Sequence, residues 1–427
     1  MNVNLITMGC SKNLVDSEHL LKQIEANGFA VSHDSEELAD IVIINTCGFI
    51  LDAKEESINM IMDYVSAKEN GLISKLYVMG CLSARYKTEL EKEIPEVDRF
   101  FGKFDFDELI KELGIQKRKD LLFERFLTTP SHYAYLKIAE GCDRTCSFCA
   151  IPQFTGSYKS IPIEDLVEEA KNLSKSGVKE LLLIAQDLSY YGIDLYKEKK
   201  LDELINKLSE IQGIEWIRLH YAYPSKFPYE VLKVMRENPK VCKYLDIPFQ
   251  HISDDILSRM RRNVTGAQTK ELIKRIREEV PGIALRTSLI VGFPGETDND
   301  FEDLKNFVKE FKFERLGVFT YSHEEGTYAG MKYKDDIPQS VKQQRADEIM
   351  QIQQDIQEEL NSQKKGMTFR TLIDRREGKY FVGRTEHDSP EVDDEVLIPF
   401  DKCISTGEFY NVKITSVDLF DLFGEII

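Results

Sequence analysis

With 427 residues the chain is too long for one ordinary compact core, so two or three domains are expected. Its composition, 42% hydrophobic and 30% charged, is typical of soluble globular proteins, and it has neither an apolar run of roughly 18 residues nor a signal-peptide pattern. We therefore expect a cytoplasmic protein without a membrane partner, whose reduced cysteines bind metal more often than they form disulfides. The net charge of −18 favours a basic partner over a nucleic acid.

Apolar, β-rich segments alternate with helical patterns over residues 1–118. The candidate strands are residues 3–8, 41–44 and 76–79. A helix is predicted around residues 57–65, where the apolar residues are Ile58, Ile61, Met62 and Val65. Because strands that alternate with helices form parallel sheets covered by helices, we predict an N-terminal parallel α/β sheet domain at residues 1–118.

The alternation starts again at Tyr133 and runs six times within a second predicted domain, residues 128–358. The candidate strands are residues 133–139, 180–186, 216–221, 244–247, 284–291 and 316–321. Since a closed barrel of this type needs eight β/α units, six units predict an open, partial (β/α)6 barrel. A Gln- and Glu-rich helix at residues 341–360 is expected to connect this barrel to the C-terminal segment.

The apolar period changes to two after Gly366. The candidate strands are residues 367–373, 380–385, 395–398 and 410–417, with glycine and aspartate turns between them. We predict a small antiparallel β-barrel as a third domain, residues 360–427. The expected fold class of the whole chain is therefore α/β with a terminal β-barrel.

Three cysteines lie within eight residues in the run CDRTCSFC: Cys142, Cys146 and Cys149. Thiolates at this spacing on a loop can converge on one metal centre. A structural zinc site needs four ligands, and no fourth cysteine or histidine follows at a suitable spacing. Because three ligands leave one iron of a four-iron four-sulfur cluster open to a small molecule, the run predicts such a cluster.

Three further cysteines, Cys10, Cys47 and Cys81, each end or follow a predicted strand. Each stands beside a glycine that permits close backbone approach: Gly9, Gly48 and Gly80. Taken singly, each cysteine could be a small buried apolar residue. Ligands collect at the carboxyl ends of parallel strands, however, so the matched positions favour a second cluster. Cys242 and Cys403 lack such a context and are expected in the core.

These features resemble the methylthiotransferase family of radical S-adenosylmethionine enzymes, and the resemblance covers essentially the whole chain. The segment IAEGCDRTCSFCAIP (residues 138–152) is similar to the radical signature, and the strand-end cysteines are similar to the auxiliary-cluster domain. The last segment resembles the OB-like barrel called TRAM, which binds RNA or protein. The resemblance thus implies two 4Fe-4S clusters and S-adenosylmethionine as cofactors.

Within this family the chain resembles the branch that modifies an aspartate of a small-subunit ribosomal protein (RimO type). The transfer-RNA branch (MiaB type) usually has Gln-Met-Asn after the first cysteine, whereas residues 8–18 read MGCSKNLVDSE. RLHYAYPS (218–225), YLDIPFQHIS (244–253), LGVFTYSHEEGT (316–327) and DLFDLFGEI (418–426) lean the same way. Residues 366–427 contain 13 acidic and 7 basic residues, a balance of −6 that suits a basic ribosomal protein better than transfer RNA.

By resemblance, the cluster on the catalytic cysteines Cys142, Cys146 and Cys149 binds S-adenosylmethionine through its open iron. Reduced by an external electron donor, it cleaves that molecule to methionine and a deoxyadenosyl radical, which takes a hydrogen from the β-carbon of the target aspartate. The auxiliary cluster supplies the sulfur, and a second S-adenosylmethionine supplies the methyl group. The substrate is expected to be the ribosomal protein, either free or within the small subunit.

Contacts to S-adenosylmethionine are predicted at five positions: Phe148, Gln186, Asp187, Gly292 and Gly295. Phe148 lies inside the cysteine loop, Gln186 and Asp187 end the second barrel strand, and the glycines end the fifth. Their alternative roles are a core side chain for Phe148, a helix or turn cap for Asp187 and a tight turn for the two glycines.

Three functional alternatives stay open at this point: methylthiolation of an isopentenylated adenosine in transfer RNA, a non-catalytic iron-sulfur or zinc module that binds ribosomes, and a radical enzyme that uses the N-terminal cysteines for electron transfer alone. The chain also departs from the family pattern. Thr155 and Ile161 stand where basic residues are common, and Asn263 stands where a glycine is usual.

Overall fold

The structure is a computed structural model, and it describes residues 1–37, 39–400 and 403–427. The chain forms two compact units. Unit 1 comprises Met1–Thr129, Tyr135–Arg144 and Cys149–Leu173, and unit 2 comprises Pro130–Ala134, Thr145–Phe148 and Ser174–Ile427. In the described part of the chain, no helix is both long enough and apolar enough to cross a membrane.

Unit 1 contains strands and helices in alternation. Those that lie wholly or mainly in it are β1 (Asn2–Thr7), α1 (Ser11–Glu25), β2 (Ala30–His33), β3 (Ile41–Thr46), α2 (Leu51–Glu69), β4 (Lys75–Gly80), α3 (Cys81–Glu93), β5 (Arg99–Phe100), α4 (Phe106–Glu112), β6 (Tyr133–Lys137), β7 (Ala139–Glu140), α5 (Ile151–Thr155), β8 (Lys159–Ser160) and α6 (Ile163–Lys175).

The first five strands form one parallel sheet in the order β2-β1-β3-β4-β5. Alternate side chains of each strand point to opposite faces, and both faces are covered by apolar residues of helices. Val42 and Ile44 of β3 pack with Ile61 of α2, whereas Ile41 and Ile43 pack on the other side with α1 and α4. This two-sided burial explains why the strands read as nearly continuous apolar runs.

The sequence analysis located three of these five strands and missed β2 and β5. Both are short edge strands: β2 is partly exposed along its length, and β5 has two residues. The predicted apolar face of α2 was partly wrong, because Ile58 and Met62 are 37% and 44% exposed. Ile61 and Val65 are the buried residues of that helix in the core below the sheet, and Met60 and Tyr64 pack against the same core while partly exposed.

Unit 2 continues the alternation and then changes to antiparallel strands. Its elements are β9 (Glu180–Ile184), α7 (Ile193–Tyr196), α8 (Leu201–Ser209), β10 (Trp216–Leu219), α9 (Glu230–Glu237), β11 (Val241–Asp246), α10 (Asp254–Arg259), α11 (Gly266–Glu279), β12 (Ala284–Val291), α12 (Asp298–Phe311), β13 (Arg315–Thr320), α13 (Tyr328–Lys332), α14 (Gln339–Lys364), β14 (Thr368–Glu377), β15 (Tyr380–Thr385), β16 (Glu395–Pro399), β17 (Phe409–Val417) and β18 (Asp421–Ile426).

Six strands form an open sheet in the order β13-β12-β11-β10-β9-β6, with parallel pairing from β9 through β13. The predicted partial barrel and its six strands are therefore confirmed. The last five strands close into a barrel in the order β14-β15-β16-β18-β17. The sequence analysis missed β18, which inserts between β16 and β17, so the predicted antiparallel barrel contains one parallel pair, β16–β18.

The two cysteines outside the clusters differ from each other. Cys242 is buried among Trp216, Tyr244 and Ala284, as predicted. Cys403, also predicted to lie in the core, is exposed. That prediction was wrong because Cys403 follows β16 in the connection to β17, and such connections run over the surface.

Part of the acidic excess of the C-terminal segment is neutralised inside unit 2. Asp394 pairs with Arg315, which lies outside the counted segment, with 3.1 Å between Nη2 and Oδ2. Asp388, fully buried, also contacts Arg315. The count of 13 acidic against 7 basic residues therefore overstates the negative charge that this barrel shows to a partner.

Candidate metal centres

The three strand-end cysteines lie at one edge of the unit 1 sheet. Cys10 is the N-cap of α1, Cys47 directly follows β3, and Cys81 opens α3 directly after β4. The strand order reverses between β1 and β3, and open parallel sheets bind ligands at the carboxyl ends of strands at such a point. Cys10 and Cys47 follow the two strands that flank the reversal, and Cys81 follows the next strand.

The neighbouring glycines bring these segments into close contact. A Cβ atom on Gly9 would lie 2.7 Å from the Cβ of Cys47, and one on Gly48 would lie 2.9 Å from the carbonyl carbon of Cys81. On Gly80, a Cβ would lie 2.6 Å from the backbone nitrogen of Thr46. Side chains at these positions would force the cysteine segments apart. The structure therefore shows the close backbone approach that the sequence predicted beside these cysteines.

Gly9→Ala should therefore lower both stability and metal loading. Gly9 has φ +89°, so alanine adds left-handed backbone strain to the collision with Cys47, together about 2–5 kcal/mol. The matched control is Gly28→Ala, at φ +88° with open space around its Cβ, which should cost about 1–2 kcal/mol. Melting temperature and iron per chain after anaerobic reconstitution measure the difference. Equal iron loading in the two variants would contradict the packing argument.

Asn13 of α1 joins two strand ends to the third cysteine. Its Nδ2 donates to the carbonyl oxygens of Met8 and Thr46, both at 3.1 Å. Its Oδ1 lies 3.6 Å from the Sγ of Cys81, which donates to it. One buried side chain thus fixes the ends of β1 and β3 relative to Cys81.

The three thiols share one electrostatic environment. Burial would raise the pKa of Cys10, but Lys12, Lys103 and two backbone N–H groups of α1 outweigh it, so the pKa is lowered. Burial raises the pKa of Cys47, and it raises the pKa of Cys81 to about 12, with Cys10 and Cys47 adding to the rise. Three thiols that affect one another's ionisation at a sheet edge are a donor set suited to iron-sulfur chemistry, since the ligand is the thiolate.

The run CDRTCSFC lies between β7 and α5. In unit 1, the backbone nitrogen of Cys142 donates to the carbonyl oxygen of Gly156 at 3.2 Å. Ala150 and Phe154, which follow Cys149, pack with Cys81 in one apolar cluster. The chain that follows Cys149 therefore contacts one of the strand-end cysteines within unit 1.

Cys146, in unit 2, has two polar neighbours. Arg262 donates from Nη1 to its Sγ at 3.3 Å, and the hydroxyl oxygen of Tyr223 lies 3.6 Å from the same sulfur. The guanidinium lies 4.2 Å from the centre of the Tyr223 ring and also donates to the carbonyl oxygen of Pro248. Burial lowers the pKa of Arg262, but Cys146 and Tyr223 outweigh it and raise the value. A buried cationic donor to a ligand sulfur is one of the features that tune an iron-sulfur cluster.

In the ranges that the structure describes, no group of three or more Cys, His, Asp or Glu side chains is arranged to hold a single metal ion. The thiolates of a cubane cluster each bind a different iron. They therefore need a common neighbourhood rather than convergence on one point.

The five predicted S-adenosylmethionine contacts have protein partners. Phe148 packs against the cluster that includes Met260 and Phe293. Asp187 caps the short turn Leu188–Tyr190 by accepting from the backbone nitrogen of Ser189 at 2.8 Å, beside the partly buried Gln186. These are the core and cap roles that the sequence left open.

The two glycines after β12 lie in a tight turn. Both have positive φ, and added Cβ atoms would meet Lys342 beside Gly292 and the guanidinium of Arg259 beside Gly295. The close backbone approach at these positions is therefore to protein side chains, as the tight-turn alternative requires.

The departures from the family pattern have simple structural settings. Asn263 has φ +52°, a left-handed conformation that glycine adopts freely and asparagine tolerates. The buried Thr155 donates from its hydroxyl to the carbonyl oxygen of Ile151 within α5, and the backbone nitrogen of Ile161 donates to Ile138. Both α5 and the chain after it are thus ordered without the usual basic residues.

The sequence analysis missed Asn13, Lys103 and Arg262. Lys103 had a usable signal: Gly102-Lys103 lies at the end of β5, as the pairs of a glycine and a cysteine lie at the ends of β1, β3 and β4. The sequence analysis did not use this signal because it had not located β5. Arg262 follows α10 by three residues, and nothing local links it to Cys146.

Family models match three parts of the chain: Uncharacterized protein family UPF0004 over residues 2–102, the Radical SAM superfamily over residues 136–308 and the TRAM domain over residues 366–427. Among solved structures, the radical S-adenosylmethionine methyltransferase TsrM from Kitasatospora setae, with cobalamin and a [4Fe-4S] cluster bound, has a TM-score of 0.58 at 14% identity. That match covers 78% of this chain and 74% of TsrM and shows the shared fold. The chain is a radical S-adenosylmethionine enzyme, a class that uses S-adenosylmethionine and a 4Fe-4S cluster.

Curated relatives match over the full length. Proteins named ribosomal protein uS12 methylthiotransferase RimO are 58% identical in Phocaeicola vulgatus, covering 100% of this chain and 99% of the relative, and 57% identical in Porphyromonas gingivalis with the same coverage. The relative from Flavobacterium johnsoniae is 58% identical over 99% of this chain and 97% of its own length. The chain belongs to this RimO family of methylthiotransferases. The predicted family and the predicted enzyme class are thereby confirmed.

Proposed function

We propose that the chain attaches a methylthio group to the β-carbon of an aspartate in ribosomal protein uS12. The relatives that share more than half of its residues over the full length carry that substrate in their names. The observation that carries the sulfur-insertion part of the proposal is the meeting of Cys10, Cys47 and Cys81 at one sheet edge of unit 1.

Cys142, Cys146 and Cys149 hold the first 4Fe-4S cluster in this proposal, with one iron left for S-adenosylmethionine. With both cofactors bound, this site supplies the radical chemistry that allows a C–H bond to be replaced by a C–S bond. Arg262 and Tyr223 hold the sulfur of Cys146. The five positions predicted to contact S-adenosylmethionine remain part of this proposal: Phe148, Gln186, Asp187, Gly292 and Gly295.

Cys10, Cys47 and Cys81 hold a second 4Fe-4S cluster. Asn13 and the adjacent glycines bring the three strand ends close together, which supports one cluster shared by the three cysteines. The chemistry that this second cluster supplies is sulfur for the C–S bond. The alternative in which it transfers electrons alone predicts no sulfur in the product.

The proposed division of labour follows three domains: residues 1–118 for the auxiliary cluster, 128–358 for the radical chemistry and 360–427 for binding the ribosomal partner. Family-model matches to residues 2–102, 136–308 and 366–427 support this division. The reaction also needs an external electron donor, and a ribosomal substrate fits a cytoplasmic enzyme.

Anaerobic reconstitution followed by mass spectrometry of the substrate tests the proposal. We expect about eight irons per chain, as for two cubane clusters. Incubation with S-adenosylmethionine and a reductant should add one sulfur and one methyl group to a single aspartate of uS12, supplied free or in small ribosomal subunits. Isopentenylated transfer RNA serves as the competing substrate. Modified transfer RNA beside unmodified uS12 would contradict the proposed substrate, and cleavage without sulfur transfer would favour the electron-transfer alternative.

A further inference from the structure

A buried lysine lies beside the strand-end cysteines. Lys103 follows β5 by three residues, and its side chain is 4% exposed. Its Nζ lies 3.8 Å from the Sγ of Cys81 and 3.3 Å from the Oδ1 of Asn13, and it donates to both. Asn13, which joins the ends of β1 and β3, and Cys81, which opens α3, therefore share one cationic donor.

Two carboxylates surround the same ammonium group. The Nζ of Lys103 lies 3.5 Å from Asp16 and 3.6 Å from Glu140. Lys137 contacts both carboxylates as well, with 3.0 Å between its Nζ and Glu140. The four side chains form a quartet of two positive and two negative charges within unit 1, and Lys103 is the member with a hydrogen bond to a cysteine.

The quartet links the two cysteine sets along the chain. Asp16 is on α1, whose N-cap is Cys10, and Glu140 ends β7 two residues before Cys142. Each acid of the quartet contacts both lysines. Displacement of any one member is therefore unfavourable, because a buried charge would lose one of its partners. Lys103 therefore restrains the Cys81 sulfur relative to the segments that carry Cys10 and Cys142.

Charge gives Lys103 a second effect on the cysteines. Three thiolates bring negative charge to a site that already has Asp16 and Glu140 nearby. A buried ammonium group offsets part of that charge and donates a charge-assisted hydrogen bond to one ligand sulfur. Hydrogen bonds to ligand sulfurs and net local charge set the reduction potential of iron-sulfur clusters, and a positive neighbour makes reduction easier.

We propose that Lys103 is a positioning residue of the auxiliary site, which fixes the sulfur of Cys81 and raises the reduction potential of the cluster held there. The inference rests on the proposed second cluster. It concerns a side chain outside the cysteine ligands and assigns it an electrostatic effect that a merely structural ion pair would not have.

The test uses full-length chains in which Cys142, Cys146 and Cys149 are alanine, so that only the auxiliary cluster contributes iron and signal. Into this background we place Lys103→Met, Lys103→Arg and Lys137→Met. The last is the matched control, because it removes an equal charge from the same carboxylates without removing a hydrogen bond to a cysteine. Redox titration followed by electron paramagnetic resonance measures the midpoint potential, and iron analysis measures loading.

Lys103→Met is expected to shift the midpoint potential to a more negative value. Lys103→Arg keeps the positive charge and should have a potential close to that of the parent chain. Lys137→Met should produce a distinctly smaller shift despite a similar loss of thermal stability. If Lys103→Met cannot hold the cluster, loading with iron should still recover in Lys103→Arg and persist in Lys137→Met. Potentials and loading that are equal in Lys103→Met and Lys137→Met would overturn the inference. A parent chain that binds no auxiliary iron would instead overturn the proposed function on which it rests.

Discussion

Replacing Cys142, Cys146 and Cys149 together by alanine is expected to reduce S-adenosylmethionine cleavage to background while the chain stays folded. The three thiols are the ligands proposed for the radical cluster, and alanine removes every one of them. Iron should fall from about eight to about four per chain, because the proposed auxiliary cluster on unit 1 keeps its own ligands. Deoxyadenosine formation under reducing, anaerobic conditions and iron analysis on the same preparation measure both effects.

Cys403→Ala is the control for that experiment. Cys403 is an exposed cysteine between β16 and β17, so its loss should leave iron content and cleavage at the parent values. Cleavage that persists in the triple variant would contradict the assignment of the run CDRTCSFC. Loss of all iron would show that the two cysteine sets do not load independently.

Arg384→Met is expected to destabilise unit 2 by about 3–5 kcal/mol, the usual cost of removing one partner from a buried ion pair. Arg384 is 2% exposed and contacts Asp374 at 2.7 Å and Glu180 at 2.5 Å. Arg218 also pairs with Glu180 and His132 with Asp374, but each buried acid would lose one of its two partners. The urea midpoint of unfolding at neutral pH measures the change.

Arg375→Met provides the comparison, since Arg375 is on the neighbouring strand β14 but is 46% exposed and pairs with Glu377 and Glu395. Exposed pairs of this kind contribute about 1 kcal/mol or less. Equal effects of the two substitutions would contradict the role of the buried network.

The difference between Arg384→Met and the parent chain should also depend on pH. Burial raises the pKa of Asp374, but Arg384 and His132 outweigh it, so the pKa lies below its ordinary value. A carboxyl with a lowered pKa contributes stability above its ordinary pKa, about 4, and that contribution is lost as the pH falls further. The gap between the two urea midpoints should therefore narrow below about pH 4. A gap that stays constant with pH would exclude Asp374 as its source.

The predicted elements succeeded where the pattern was local. The six strands of the open sheet were located because each is a short segment rich in apolar residues, and such segments alternate along the chain with amphipathic helices. Of the missed strands, β2 and β5 are short and lie at the edges of their sheet, whereas β18 lies between β16 and β17 in the closed barrel. The exposed Cys403 and the exposed Ile58 and Met62 show the same limit, because apolar character alone does not say which side of an element another element covers.

The order of residues along the sequence was therefore enough to predict both cysteine sets. Candidate cluster ligands are recognised by their residue type and by their position after a strand, and both can be read from the sequence. Lys103, Asn13 and Arg262 act on those cysteines from up to 116 residues away, through hydrogen bonds whose partners share no sequence pattern. Their roles depend on which strand ends and loops meet after folding. The sequence thus predicts which sulfurs hold the proposed clusters, whereas long-range packing sets the charge and the hydrogen bonds that surround them.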